Sequence, residues 1–406
     1  VFRRSPGRLY LNEMRSVLLK LLTQRLDWKR FVPPLVLLAL FLVLVVRLNQ
    51  VDKVALVSRE GQTFEKGVVT EILQDNLQPN GTRVGEQVVR VRMTSGELKG
   101  QEIETTSSAG FLFGAPCTVG MRVVVMQSVA GDTVVSSVYS QDREFQILCF
   151  VLLYLLALCA IGGWQGAKGA LSLVFTFACI IWVYLPMVYR GWSPFWSAVL
   201  VCAVTTVVTM WLLSGPTRKT LAATAGTVAG VVMAGVSASL FSFSTGVTGW
   251  NVSDIESLMS LWSTSGIQVG GLLFSGLLIS ALGAMMDVGM SIASSMAEIQ
   301  GQSPGISRKE LFRAGMRVGR DMMGTDSNTL ILAFAGGSVS MLVLDYAYDL
   351  PWLQIINSNN IAISVMQGLS GSFGVILSVP ATVAIATVLY TLPARRDTAD
   401  GAVEPQ

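Results

Sequence analysis

Long blocks of apolar residues restrict what this chain can fold into more than any other feature. Residues 145–162, 168–187, 194–213, 219–241, 266–286, 323–344 and 367–391 each read as an apolar helix, and 32–48 adds another. About 20 such residues cross the ~30 Å hydrocarbon layer. Only 14 % of the residues are charged, against about 25 % in an average soluble domain. The expectation is an all-α polytopic membrane protein of about eight transmembrane helices, with the lipid bilayer as its main surroundings.

Two stretches depart from this pattern. Residues 1–31 carry Arg3, Arg4, Arg8, Arg15, Lys20, Arg25, Lys29 and Arg30, with Leu11, Met14, Leu18, Leu21 and Leu22 close to one helix face. They read as a basic amphipathic tail on the cytoplasmic membrane surface. Val32 to Val46 opens with Pro33 and Pro34 and has no small-x-small site directly after it, so 32–48 reads as an uncleaved anchor. Residues 50–143 are polar, β-branched and turn-rich, with expected strands at Gly67–Gln74, Gln87–Thr94, Leu98–Thr105, Gly120–Ser128 and Thr133–Ser140. Five short strands suit an inserted small all-β barrel of OB or SH3-like type. Its strands hold almost no aromatics for base stacking, so no nucleic-acid partner is expected. Residues 145–391 then form a seven-helix membrane domain, and 392–406 a disordered cytoplasmic tail.

Charge distribution gives an orientation. Loops expected inside hold Lys168, Arg218 with Lys219, the cluster Arg308 to Arg320, and Arg395 with Arg396, whereas 243–264 and 346–366 contain no Lys or Arg. By the positive-inside rule both termini are cytoplasmic, the β domain is extracytoplasmic, and the membrane is the inner or plasma membrane. The segment Val252–Trp262 is amphipathic in pattern and is expected to lie in the interface.

Against this apolar background a polar cluster stands out. Asp287, Ser291, Ser294 and Glu298 fall at offsets 0, 4, 7 and 11, and Arg317, Asp321, Gly324 and Asn328 repeat them. At 3.6 residues per turn each set is one narrow helix stripe. Charge at bilayer depth costs about 2.5–3.5 kcal/mol per residue on insertion scales. The candidate ion- or substrate-binding residues are therefore Asp287, Ser291, Ser294, Glu298, Arg317, Arg320, Asp321, Thr325 and Asn328, with Asp326 nearby. Arg317 and Arg320 are expected to balance Asp287, Asp321 or Glu298. A static helix pair glued by buried ion pairs is the plainer reading.

Several chemistries are excluded. There is no histidine, which removes histidine–metal sites and Ser-His-Asp catalysis. Cys117, Cys149, Cys159, Cys179 and Cys202 form no CxxC. No nucleotide-binding loop appears, no cofactor is implied, and no metal set can be assigned. An intramembrane aspartyl protease would need a GxGD sequence, which is missing around Asp287, so the chain is not expected to be an enzyme. Small-residue spacing at Ala225, Gly226, Ala229 and Gly230, and at Gly368, Gly371 and Gly374, predicts close helix packing and permits a homodimer.

The pair ALGAMMDVGMSIASSMAEI and GMRVGRDMMGTDSNTLILAFAGGS, with GGWQGAKGALSL, LPMVYRGWSP and GSFGVILSVP, resembles the YibE/F-like family of bacterial multipass membrane proteins over roughly residues 60–390. The resemblance implies eight spans with an extracytoplasmic β domain after the first, and the matching polar positions include Gly319, Gly324 and Thr329. It implies a membrane or transport role without a defined reaction. Members carry an acidic residue near Ile361–Gln367, where this chain reads IAISVMQ.

The functional expectation is a transporter or channel for a small inorganic ion. Carboxylates, hydroxyls and an amide would serve a cation, while the arginines would serve an oxyanion such as phosphate. A scaffold that gathers partners through the β domain is the alternative of a different class.

Overall fold

The computed structural model describes residues 39, 41–50, 61–79, 84–108, 114–130, 133–252 and 255–392. The basic tail 1–31, most of the anchor, the Gly131-Asp132 turn and residues 393–406 lie outside them. The anchor's described part is a helix, α1, over 41–49.

The polar insert is a closed five-stranded barrel: β1 (Gln62–Gln74), β2 (Gln87–Met93), β3 (Glu102–Ser107), β4 (Arg122–Ala130) and β5 (Thr133–Gln141), in the order β1-β2-β3-β5-β4. All pairs are antiparallel except β3 with β5, the connectivity of an OB-type barrel. Alternation explains it: Val89, Val91 and Met93 point inward along β2 while Arg90 and Arg92 point out to Glu71 and Glu102. Leu98 lies in a turn rather than a strand, because the chain reverses through Gly96 and Gly100 at positive φ, and β3 starts at Glu102. One barrel end is plugged by residues 114–118. There Gln87 Oε1 accepts from the Cys117 amide at 2.8 Å, and Ser107 Oγ exchanges bonds of 2.7 and 3.0 Å with the Ala115 backbone. Lys66 pairs with Glu144 and Asp142 where the barrel meets the first long helix. The Glu144 hydrogen bond holds the lysine pKa above its ordinary value.

The remainder is helical. In order come α2 (Glu144–Cys179), a π turn (Ile180–Tyr184), α3 (Leu185–Tyr189), α4 (Pro194–Ser214), α5 (Arg218–Thr245), α6 (Ile255–Ser265), α7 (Leu272–Gln302), α8 (Arg308–Gly337), α9 (Val339–Ala347), α10 (Trp352–Ile356) and α11 (Asn359–Thr391). Among the described residues five helical segments are long and apolar enough to cross a membrane, and a sixth if α8 and α9, bent by 57°, are one span. The interfacial segment expected near 252–262 is α6, where Trp250 and Trp262 meet edge to face at 5.8 Å. Helices overrun the expected spans. α7 runs to Gln302 and α8 starts at Arg308, past the apolar spans 266–286 and 323–344, so the stripes read at 287–298 and 317–328 lie on helix. Polar residues lengthen a helix without adding to the apolar run, so composition underestimates it.

The two spans expected at 145–162 and 168–187 have no loop between them; Lys168 lies within a helix. The helix is broken at Gly163, which takes φ 53° and ψ −133°. The chain folds back there. A Cβ on Gly166 would collide with the Leu158 carbonyl eight residues earlier. Val151, Tyr154 and Leu155 share a crevice with Phe177, Val174 and Leu173. The segment is thus a helical hairpin with its tip at Gly163. The second arm carries a π turn just before Pro186, which donates no hydrogen bond to the Trp182 carbonyl. Asn49 Nδ2 of α1 donates to that carbonyl instead, at 2.8 Å, and Arg190 binds the Arg47 and Gln50 carbonyls. These contacts seat α1 against the hairpin.

The core is a bundle of α5, α7, α8 and α11, with α4 on α7. Small residues let the backbones approach. Gly226 faces Thr382, Gly230 faces Ser378 and the Gly374 carbonyl, and Gly289 faces Thr227. Leu277, Leu278, Met285, Ile292 and Met296 fill the middle, all fully buried.

The hairpin tip offers a test. The dihedrals of Gly163 cost a residue with Cβ roughly 1–3 kcal/mol, whereas Gly162 has open space around it and no positive φ. Gly163→Ala is expected to lower the thermal midpoint of the detergent-solubilised protein by several degrees, and Gly162→Ala to leave it unchanged. Equal midpoints for both variants would contradict a reversal at this residue.

Candidate functional site

α7 and α8 form an antiparallel pair joined by a short turn. Ser307 caps α8, accepting from the Glu310 amide, while Glu310 Oε2 accepts from the Ser307 amide at 3.1 Å. Arg308 Nε donates to Thr391 Oγ1 at 2.9 Å, tying this start to the end of α11. The register follows from close contacts: Gly315 faces Met296 and Gly319 faces Ile292. Extending it by helical rise puts Glu298 level with Arg313, Ser294 with Arg317, Ser291 with Arg320 and Asp287 with Gly324. Asp287 is the middle residue of α7, about 22 Å from either end.

The packed faces are apolar or small. α8 buries Leu311, Gly315, Gly319, Ser327 and Leu330 against α7 and α11, and α7 buries Leu282, Met285, Ile292 and Met296. The polar stripes therefore turn outward. Asp287 and Glu298 are exposed, and Ser291 and Ser294 are half-buried; on α8, Arg317, Arg320, Asp321, Gly324, Thr325 and Asn328 are exposed, with Asp326 half-buried. The stripe also takes in Gly276, Ser280, Gly283 and Arg313, which the sequence reading passed over. They extend the same 3–4 spacing and were legible in principle.

The two stripes lie side by side on one surface rather than facing each other across an interface. Among the described residues no carboxylate lies within ion-pair distance of Arg317 or Arg320; the ion pairs present belong to the barrel and its junction with α2. The expected balancing of Arg317 and Arg320 by Asp287, Asp321 or Glu298 is not realised within the chain. The reason is steric: the interface between α7 and α8 is occupied by Met296 and Ile292 fitting over Gly315 and Gly319. Glu298 accepts from Gln302 at 2.9 Å instead. Asp287 lies within electrostatic reach of Asp326. Arg313, Arg317 and Arg320, with Glu310, Phe312 and Met316, line a surface trough of about 540 Å³ at the turn end of α8.

One acidic residue behaves unlike the others. Asp345 is the only buried residue of α9, and its Oδ2 has no hydrogen-bond partner. Four and seven residues before it, Met341 and Ser338 contact Asn360 and Ser364 of α11. Its burial, in a helix whose leucines face outward, could not be read from hydrophobic pattern. Among the described residues no group of three Cys, Asp or Glu side chains could hold a metal ion.

This architecture defines a multipass helical membrane protein with a small β-barrel inserted ahead of its main helical domain. The chain belongs to the YibE/F-like protein family, whose pattern it matches over residues 150–392. The match covers the helical domain and leaves the barrel outside it, short of the 60–390 suggested by the motifs. No curated protein and no solved structure matches the chain.

The outward stripe makes a labelling prediction. In a variant without native cysteines, single cysteines at 317, 321, 324 and 328 are expected to react with a membrane-impermeant methanethiosulfonate in opened membrane vesicles. Cysteines at Gly319 and Ser327, both buried, are expected to stay unmodified. Protection of 321 and 328 equal to that of 327 would show the stripe closed to water.

Proposed function

We propose that this protein moves a small inorganic ion across the inner or plasma membrane along the polar surface of α7 and α8. One observation carries the reading: Asp287 lies at the midpoint of a membrane-length helix, level with the small residue Gly324, with no ion-pair partner among the described residues. Structural carboxylates at such depth are paired; those that meet an ion keep an open side. Ser291, Ser294, Thr325 and Asn328 supply further oxygens along the stripe, which suits a hard cation. Asp321 and Glu298 continue it toward the turn end. In this reading nothing is chemically transformed, so the protein is not an enzyme.

The topology proposed with it has eight crossings. The two hairpin arms count separately, joined by α1, α4, α5, α7, α8 with α9, and α11. The Arg-rich start of α8 and the Arg218-Lys219 start of α5 then lie inside, as do both termini, and the barrel, α6 and α10 lie outside. The arginine trough favours a second reading, in which the cargo is an oxyanion bound by guanidinium groups.

Flux into proteoliposomes decides between them, screened over Na⁺, K⁺, Mg²⁺, phosphate and sulfate with and without a pH gradient. Asp287→Asn and Asp321→Asn are each expected to cut cation flux at least about tenfold, as loss of a charge-assisted contact worth about 1.5–3 kcal/mol would. Wild-type flux from both variants would end the cation reading. Oxyanion flux that survives both and falls with Arg317→Gln would establish the second.

A further inference from the structure

We infer that two copies of this chain associate through the outward surface of α7 and α8, with the acidic stripe of one copy against the basic stripe of the other. The inference deepens the transport reading, because a single copy leaves its polar surface open on one side at bilayer depth.

The argument begins with what stands exposed. Asp287 and Glu298 lie on the α7 stripe, and Arg313, Arg317 and Arg320 on the α8 stripe, which also carries the exposed Asp321 and is basic in balance. None of these is ion-paired among the described residues. Set against hydrocarbon, Asp287 at mid-helix would cost about 2.5–3.5 kcal/mol on insertion scales. α1 does not cover them, since its described contacts run to Phe175, Trp182 and Arg190 on the hairpin arm.

Symmetry then selects the occupant. Two copies inserted in the same direction and related by a two-fold axis along the membrane normal keep every residue at its own depth. The rotation also brings α7 opposite the partner's α8, and α8 opposite the partner's α7. By the register above, Glu298 meets the level of Arg313 across the axis, with Arg317 one turn away. Asp287 meets the level of Gly324, with Arg320 one turn away. The same opposite-sign pairs form twice, as an isologous contact requires. Gly276, Gly283 and Gly324 have nothing within 4 Å of an added Cβ, which leaves room for helices to cross closely. The ion path would then run between four helices, two from each copy.

Cross-linking tests this in native membranes. Two differently tagged cysteine-free copies are co-expressed, one with Gly283→Cys and one with Asn328→Cys, positions that share a level. Copper phenanthroline is expected to join them, and not to join a control pair, Ile161→Cys with Phe243→Cys, both 91 % exposed on other helices. Single-molecule photobleaching of the otherwise unmodified chain in liposomes supplies a measure free of substitutions, with two steps expected. Glu298→Arg is expected to lower the two-step fraction at least about fivefold, and adding Arg313→Glu and Arg317→Glu to restore it. One-step bleaching throughout, or cross-linking no stronger than the control, would overturn the inference. A two-step fraction indifferent to charge reversal would overturn the stripe-on-stripe arrangement and leave the trough to anionic headgroups. A dimer with no ion flux would sink the transport reading alone, and flux from a monomer would sink this one alone.

Discussion

Where α5 and α11 cross, Gly226 makes room for Thr382, and Gly230 for Ser378 and the Gly374 carbonyl. The contact rests on backbones brought close by missing side chains. Lipid tails are as apolar as leucine, so helices in a bilayer gain little from burying apolar surface against one another. What they gain comes from dispersion at short range and from hydrogen bonds such as Thr227 Oγ1 to the Met285 carbonyl of α7 at 3.3 Å. Gly289 and Thr227 join α7 to α5, and Gly315 and Gly319 join α8 to α7 and α11. Once these glycines fix the inward faces, helical geometry leaves no freedom over the outward ones. The polar stripes face out because the small residues face in.

That coupling explains what was legible in the sequence and what was not. The barrel's strands follow from alternation, and β2 and β5 begin where the pattern changes, at Gln87 and Thr133. β3 was missed by four residues at its start, because a turn held by Gly96 and Gly100 consumes residues whose composition still suits a strand. The hairpin at Gly163 was legible as two apolar blocks. Its sharpness was not, because a reversal made by one glycine leaves no polar loop behind. The stripe Asp287-Ser291-Ser294-Glu298 was legible from spacing alone. Its partner was not: spacing gives the direction of a stripe about its own axis, and says nothing of which neighbouring helix occupies that direction. Opposite charges on consecutive helices invited an intramolecular pairing that Met296 over Gly315 prevents. Asp345 was out of reach for a different reason, since it is the charged residue of an apolar helix that turns inward while Leu342, Val343 and Leu344 turn out.

The joints around the core use another device. Pro186 frees the Trp182 carbonyl, and Asn49 fills it; Arg190 reaches the carbonyls at the end of α1, and Arg218 those at the end of α11. Each pairs a helix break or terminus, where carbonyls have no intrahelical partner, with a long donor from a distant element. The joints hold peripheral helices without asking apolar surface to do so. The central glycines are then free to set the spacing.

The barrel and the membrane domain treat charge in opposite ways, and the difference bears on function. On the barrel, Arg90 meets Glu71, Arg92 meets Glu102 at 3.5 Å, and Lys66 meets Glu144. Exposed pairs of this kind are worth little, about 0–1 kcal/mol, and water would have solvated the same groups separately at small cost. On α7 and α8 the incentive to pair is far greater, because the surrounding medium solvates ions poorly. Yet there Asp287, Arg317 and Arg320 stand without ion-pair partners among the described residues. Pairing is present where it matters least and missing where it matters most. Within a single copy that arrangement is unstable in hydrocarbon, and it becomes stable once water, an ion or a second protein surface meets the stripe. Among the described residues the fold supplies one side of a polar boundary and leaves its other side open.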